Sequence, residues 1–567
     1  MTNLLNQLDE LKARFGPSAR LRIESLLRRL ARVRFSNADD LLRFHETLLF
    51  LAAYPQSAAT KKLSESLLNS FARRLSELRD ADGDLSSLEP PDVSGLAGMA
   101  VSDTFSFYIV RWLVSRQPNR LSFDWQYFED ENRLAQTWPR FMPLLADDAN
   151  VEANVPYQTW LRSASGSQRQ EVRWLLEQFD ALKISATEKA ELYDSQKLYV
   201  TWNPPARESR TGLRVPVRRM FFHREPLIQR RDISLQRELR NPPPKLQRLG
   251  ARQGQAILDL ARAASTVRYR ELYGFTHGDP RRVLQADLGR GVAVFVIGLP
   301  PDKRLPLRAY HAAMIFKNGV PIGYFEGLSI FERMESGFNL YYTFRDGETA
   351  WLYAHLLNIF HHLLGVTAFS IDPYQVGHEN EEGIESGAFW FYRKLGFRST
   401  DREVMKLVLN EEKKIGSRAG YRTSATTLRR LAESPMIFEL EAAKKGDWDR
   451  FQTRTIGLAA QRVMAKQYRG EAEKFKTQAV KRLENAVGLK FNNQPGPANS
   501  ALNDFAVVSS LIPDLVRWSD EEKRELVKVI LAKASPDESR YLKLMQRHQR
   551  LRQAMLKVGD GGGKPPA

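Results

Sequence analysis

Two adjacent residues, Asn318 and Gly319, constrain the fold more than any others. They stand between the apolar runs 309–316 and 320–330, and Asn-Gly is the pair that most readily takes up positive φ at both central positions of a tight hairpin turn. Two antiparallel strands follow from that turn. The run 292–299 reads as a buried strand before them, and 338–344 reads as a third strand after them. Beyond Arg345-Asp346-Gly347 the apolar period changes from 2 to 3.6. Leu352, His355, Leu356 and Phe360 then share one helical face, and Gly365 ends the helix. A short strand at 367–371 and a helix stopped by Gly396 complete the unit. Strands followed by helix, strand and helix predict a mixed sheet with flanking helices, an α/β fold.

A chain of 567 residues exceeds what one core can organise, so three or four folded units are expected. Residues 1–195 read as a helical N-terminal region. Ile23, Leu26, Leu27 and Leu30 form one stripe, Leu41, Phe44, Leu48 and Leu51 another, with Asn37 or Asp39 as a cap. The aromatics from Trp112 to Trp160 belong to its core by their spacing. Residues 196–250 read as a basic, proline-rich linker or arm, 251–412 as the α/β domain, 413–558 as a helical C-terminal region and 559–567 as a disordered tail. Within the C-terminal region Ser519 and Glu522 form a capping box.

The net charge of +18 favours anionic partners. The arm carries much of it, from Arg207, Arg210 and Arg214 to Lys245 and Arg248, so residues 207–248 are the expected contact for nucleic acid or an acidic protein. The absence of cysteine excludes disulfides, thiolate nucleophiles and cysteine-ligated zinc. No apolar run approaches the roughly 20 residues of a membrane span. The first 30 residues lack the order of a secretory signal, and a cytoplasmic location is expected.

Two passages carry a family resemblance. Asn318-Gly319-Val320-Pro321-Ile322-Gly323-Tyr324 resembles the hairpin of the GNAT acyltransferase superfamily, and Gly387-Ala388-Phe389-Trp390-Phe391-Tyr392-Arg393-Lys394-Leu395-Gly396-Phe397 is similar to that superfamily's late helix. Read by itself, this second passage places Ile384, Ala388, Phe391 and Leu395 on one apolar stripe, with Tyr392 on its flank. The resemblance implies a GNAT-like mixed sheet, acetyl-CoA as co-substrate, and acyl transfer to an amine acceptor by direct attack in a ternary complex. It also implies that Tyr392 is the general acid for the departing thiolate, a role that suits a phenol protonated at neutral pH.

The family's pyrophosphate turn, "(Q/R)-x-x-G-x-(G/A)", falls on 344–350. One register uses Phe344, Gly347 and Thr349; the other uses Arg345 and Ala350, with Glu348 at the glycine position. Helix N-termini bind phosphate through unpaired amides and a positive dipole end. Asp346 and Glu348 would serve that helix end as dipole partners and would oppose a pyrophosphate there. The expected general base is Glu326, with His311 second. In the 372–384 link Asn380 is an expected helix cap beside Glu379, Glu381 and Glu382. His361 and His362 are adjacent on a helix and point about 100° apart, and His355 and His362 share a face without a third ligand, so no metal is expected. The alternative reading is a degenerate GNAT-like scaffold in a protein that binds nucleic acid or another protein.

Overall fold

The computed structural model describes residues 2–128, 131–142, 148, 155–441, 444–491 and 496–560. Among these the strands form two sheets. The smaller consists of β1 (Val101–Asp103), β2 (Leu121–Phe123) and β3 (Val200–Trp202), with β3 central and antiparallel to both neighbours. The larger contains β4 (Leu246–Arg248), β5 (Val283–Gly289), β6 (Val292–Gly298), β7 (Ala309–Lys317), β8 (Val320–Ile330), β9 (Arg333–Leu340), β10 (Ala368–Ile371), β11 (Arg398–Ser399) and β12 (Met436–Glu439). Their spatial order is β11-β12-β10-β9-β8-β7-β6-β5-β4.

From β4 to β9 each strand pairs antiparallel with the next. β10 then lies parallel to β9, a step that needs a crossover. The Thr349–Leu364 helix supplies it and ends on Gly365 in the left-handed conformation. Asn318 and Gly319 have φ of 48° and 82°, the paired positive values of the expected hairpin turn. The next hairpin was not legible in the same way. Phe331 makes that turn at φ 50° without a glycine, and the polar Glu335-Ser336-Gly337 sits inside β9. The strand therefore covers 333–340 instead of 338–344, and Tyr342–Phe344 is a 3-10 turn.

β7 is buried along its whole length, because both faces of the sheet are covered. Tyr310, Ala312, Met314 and Phe316 pack with the Ala251–Thr266 helix and the small-sheet unit, whose core holds Trp112, Trp138 and Trp202. Ala309, Ala313 and Ile315 face the other way, into a core shared by the Ala38–Ala53 helix, the Thr349–Leu364 helix and the C-terminal helices. The N- and C-terminal helical regions thus pack on the sheet itself. The sheet also draws strands from outside 251–412, since β4 forms one edge and β12 is inserted between β10 and β11.

The 196–250 stretch, read as a linker, runs as a packed strap. It starts in β3, hydrogen-bonds from Val215 N–H to the Gly319 carbonyl at 2.9 Å and from His223 N–H to the Pro55 carbonyl at 2.8 Å, and ends in β4. Leu227, Leu235 and Leu239 are its buried anchors. Its prolines prevent long elements, and its anchors are too widely spaced to give a periodic signal. Arg218, Arg219, Arg224, Arg231, Arg237, Arg240, Lys245 and Arg248 remain exposed. Arg210 does not: it is buried, 2.6 Å from Glu46 in the Ala38–Ala53 helix.

Around this pair, Glu46 also accepts from the Thr343 hydroxyl and from His45 Nδ1 at 2.9 Å, while His45 Nε2 faces Thr211 Oγ1 at 2.9 Å. Burial alone would raise the Glu46 carboxyl. The Arg210 guanidinium and the hydrogen bonds outweigh it and hold the carboxyl at about 2.

The late helix also departs from expectation. Gly387, at φ 66°, divides it into Glu381–Glu385 and Ala388–Lys394. The left-handed residue changes the phase, so the buried face after it is Phe389 and Tyr392 instead of Ala388 and Phe391. Tyr392 moves from the flank of the stripe to its centre. Asn380 does cap the first piece, accepting from Gly383 N–H, and Ser519 and Glu522 do form a capping box. Of the tail, 561–567 lies outside the described residues. No described helix is long and apolar enough to cross a membrane.

Two stability predictions follow from these buried groups. Glu46→Ala leaves Arg210 buried without its partner, and should lower the free energy of urea unfolding by about 3–5 kcal/mol. His223 is buried with neither ring nitrogen hydrogen-bonded. Burial, reinforced by Lys317, brings its pKa down to about 3 from the ordinary 6.5. Between those values the unfolded chain binds a proton that the folded chain does not. The stabilisation is therefore complete above pH 6.5 and is lost as pH falls toward 3. His223→Phe should flatten the fall of the urea midpoint over that range, and an unchanged profile would contradict the assignment.

Candidate functional site

The site arises where two parallel strands part. β9 and β10 pair over Arg333–Ala368, Met334–Phe369 and Glu335–Ser370. Past these residues β10 ends in the Asp372 turn, whereas β9 continues to Leu340 against β8 alone. The far edge of residues 336–340 is thus left without a strand partner, and peptide groups on such an edge are available to another extended chain. A cavity of about 240 Å³ lies against this edge. Phe338, Asn339 and Leu340 form one wall, Arg345 and Thr349 a second, and Gln375, Asn380, Glu382, Ser386 and Tyr392 close it.

Three of the expected catalytic and coenzyme-binding residues therefore meet here: Arg345, Thr349 and Tyr392. Thr349 opens the Thr349–Leu364 helix and donates its hydroxyl to the Arg345 carbonyl at 3.1 Å. Arg345 pairs with Glu382 across the cavity. Tyr392 packs edge-on against Tyr353 and Phe397, with ring centroids 5.6 Å away in both cases. Burial raises its phenol pKa above the ordinary value, so it stays protonated at neutral pH. Tyr353 in turn lies 2.9 Å from Ser336 Oγ, hydroxyl to hydroxyl, which ties the helix to β9.

The other residues of the turn have different surroundings. Phe344 and Ala350 are core residues. Gly347 lies against Tyr54, where a Cβ would overlap the phenol oxygen, so packing alone requires glycine there. Glu348 faces away from the cavity. Its carboxylate is held by Arg290, by Lys317 Nζ at 3.2 Å and by Ile228 N–H at 3.2 Å. Although buried, this carboxyl is held below its ordinary value by those partners. Glu348 makes no side-chain cap to the helix it precedes, and the first-turn amides of a helix have no partner within it. Asp346 is exposed, 3.5 Å from Lys12. The two acids that sequence reasoning set against an anion are thus either neutralised or turned outward.

Glu326 does not line this cavity. It stands on β8 opposite Gly337 of β9, on the sheet face opposite Phe325, which stacks on Phe360 of the Thr349–Leu364 helix. Burial raises its pKa, against the lowering effect of a hydrogen bond donated by the Tyr310 hydroxyl. Gly337 presents no side chain between Glu326 and Gln375, whose Nε2 lies 3.8 Å from where a Cβ would be. His311 projects from the opposite face of the sheet toward Phe360, with Nδ1 unpartnered and its pKa lowered by burial. Of the residues near the cavity, Gln375, Asn339 and Ser386 carried no sequence signal.

His355 and His362 engage the Trp351 and Asn358 carbonyls through Nδ1. Among the described residues no group of three or more potential ligands is arranged to hold a metal ion.

Gly347→Ala should destabilise the protein by about 1–3 kcal/mol through overpacking against Tyr54. Tyr54→Phe in the same chain should recover part of the loss in urea unfolding, and no recovery would contradict the assigned contact. In comparisons with known proteins, no family model, no curated protein and no solved structure matches this chain.

Proposed function

We propose that the unit built on the large sheet is a GNAT-type acyltransferase that moves an acyl group, acetyl in the simplest case, from coenzyme A to an amine. The observation that carries this reading is the parting of β9 from β10, with Arg345, Thr349 and Tyr392 gathered in the cavity at that point. An acyl-CoA has an extended, amide-bearing arm that can pair with the free edge of residues 336–340, as an added strand would. The pyrophosphate then falls at the uncapped start of the Thr349–Leu364 helix, beside Arg345. Phe344, Gly347 and Ala350 shape this turn from behind.

In this mechanism the amine nitrogen attacks the thioester carbonyl and gives its proton to Glu326. The new C–N bond forms, the C–S bond breaks, and the Tyr392 phenol protonates the departing sulfur. Glu326 and Tyr392 sit on opposite sides of β9, so in this reading the acceptor and the coenzyme approach from opposite faces. The raised pKa of Glu326 favours its use as a base.

The exposed cations of the strap, including Arg218, Arg219, Arg224 and Arg231, favour a second reading. In it the same fold is a non-catalytic scaffold, and residues 207–248 bind a nucleic acid or an acidic protein.

Calorimetric titration with acetyl-CoA separates the two. The enzyme reading expects saturable binding, and its absence would leave the scaffold. With an acceptor amine in hand, Tyr392→Phe should reduce turnover about 100-fold or more at nearly unchanged coenzyme affinity. Equal turnover would remove Tyr392 from the chemistry.

A further inference from the structure

The Pro17–Leu30 helix carries surface charge of one sign. From residue 13 to residue 37 the sequence has seven arginines, no lysine and a single acid, Glu24. Ile23, Leu27 and Leu30 face the core, whereas Arg22, Ser25, Arg28 and Arg29 are exposed on the opposite side. Arg32, also exposed, continues that side in the turn that follows. Arg22, Arg28, Arg29 and Arg32 lie within about 120° of arc and about 15 Å of helix axis.

On other surface helices a cation has an acid one turn away: Lys406 pairs with Glu403, Lys474 with Glu471, Lys476 with Glu473 and Lys528 with Glu525. Here, among the described residues, Arg22, Arg29 and Arg32 have no ion pair, and Arg28 has Glu24 at 3.9 Å. That carboxylate is buried and already accepts from Ser57 Oγ at 2.7 Å. On the adjoining Thr2–Lys12 helix Asp9 is taken up by Arg43, which leaves Glu10. Arg34 is set apart in a cleft with Glu77 and Asp80 and does not belong to the face. Helix stability does not account for the pattern. Cations in a last turn complement the dipole, but the first turn here has Arg20 and no acid. The carbonyls at the far end are already served by buried Arg74, which donates to Ala31 at 2.7 Å and to Val33 at 2.9 Å. Arg28 and Arg32 are four residues apart, a spacing at which like charges repel.

We propose that this face binds the phosphate backbone of duplex nucleic acid without reading its sequence. A duplex carries about one charge per 1.7 Å of its axis, dense enough to meet four guanidiniums spread over about 15 Å. A guanidinium grips two phosphate oxygens at once, which suits a helix that uses arginine throughout. The face has no aromatic ring on which the bases of a single strand could stack. Leu21 is the one exposed large apolar side chain of the helix, whose other leucines are buried in the core, so no apolar side is left to enter a bilayer surface. The inference does not rest on acyl transfer, and it uses a surface other than the strap at 207–248.

The test is fluorescence anisotropy of labelled duplexes of about 20 base pairs with the full chain, DNA and RNA in separate arms, between about 50 and 200 mM salt. Binding that weakens steeply with salt and does not depend on sequence is expected for at least one duplex. Arg22→Gln, Arg28→Gln, Arg29→Gln and Arg32→Gln combined should weaken it by about tenfold or more and lower the slope of log affinity against log salt by about 3. These side chains are exposed, so the fold is kept. A control with Lys406→Gln, Lys474→Gln, Lys476→Gln and Lys528→Gln has the same net charge and should bind nearly as the parent does. No binding of either duplex, an equal loss in the control, an unchanged slope in the arginine variant, or tighter binding of anionic vesicles or poly-glutamate would overturn the assignment.

Discussion

The buried contact between Glu46 and Arg210 joins three parts of the chain that no local rule brings together. Glu46 belongs to the Ala38–Ala53 helix, Arg210 to the strap, and their shared partner Thr343 to the turn after β9. A carboxylate in such a place is tolerable only because a guanidinium and several hydrogen bonds replace its water. With the charge satisfied, the turn that leads into the Thr349–Leu364 helix is anchored from behind, and Arg345 and Thr349 are presented to the cavity in front of it.

A second buried acid applies the same principle to the site. Glu348 occupies the N-cap position but is drawn away by Lys317 and Arg290. Had it capped the helix, its charge would stand at the helix N-terminus, where the proposed reading puts the coenzyme's pyrophosphate. Lys317 closes the first strand of the Asn318-Gly319 hairpin and Arg290 lies in the turn between β5 and β6, so the sheet itself keeps the helix end uncapped. The Asn318 amide nitrogen continues the arrangement by donating to the Ala53 carbonyl at 2.8 Å and the Phe221 carbonyl at 2.9 Å.

Much of this was legible in the sequence, and the exceptions have physical causes. The Asn318-Gly319 turn, β8, the helix ending at Gly365 and the stripes around Phe44 and Leu48 are local signals, and they correspond to elements of the fold. β9 was misplaced because its hairpin turns on Phe331 and its centre is polar. The phase of the late helix was misjudged because Gly387 breaks it. The stretch 196–250 reads as a linker or arm because a buried arginine and a few distant leucines look the same in sequence as exposed ones. In the site, Arg345, Thr349 and Tyr392 could be singled out from the resemblance, whereas Gln375 and the open edge of β9 depend on how two strands separate in space. The neutralisation of Glu348 was invisible for the same reason, since Lys317 and Arg290 lie 31 and 58 residues away.

The hydrogen bond from Asn318 to Ala53 spans 265 residues, and the Tyr541 hydroxyl reaches back 234 residues to the Leu307 carbonyl. During synthesis the Ala38–Ala53 helix therefore leaves the ribosome long before the hairpin that covers it, and the sheet is complete before the helices that cover its other parts. Each must wait with an apolar face open to water. Contacts of such high sequence separation slow folding and lengthen the period in which partly built chains can associate. The wiring that ties distant parts of the chain to one sheet thus defers their burial until late in synthesis.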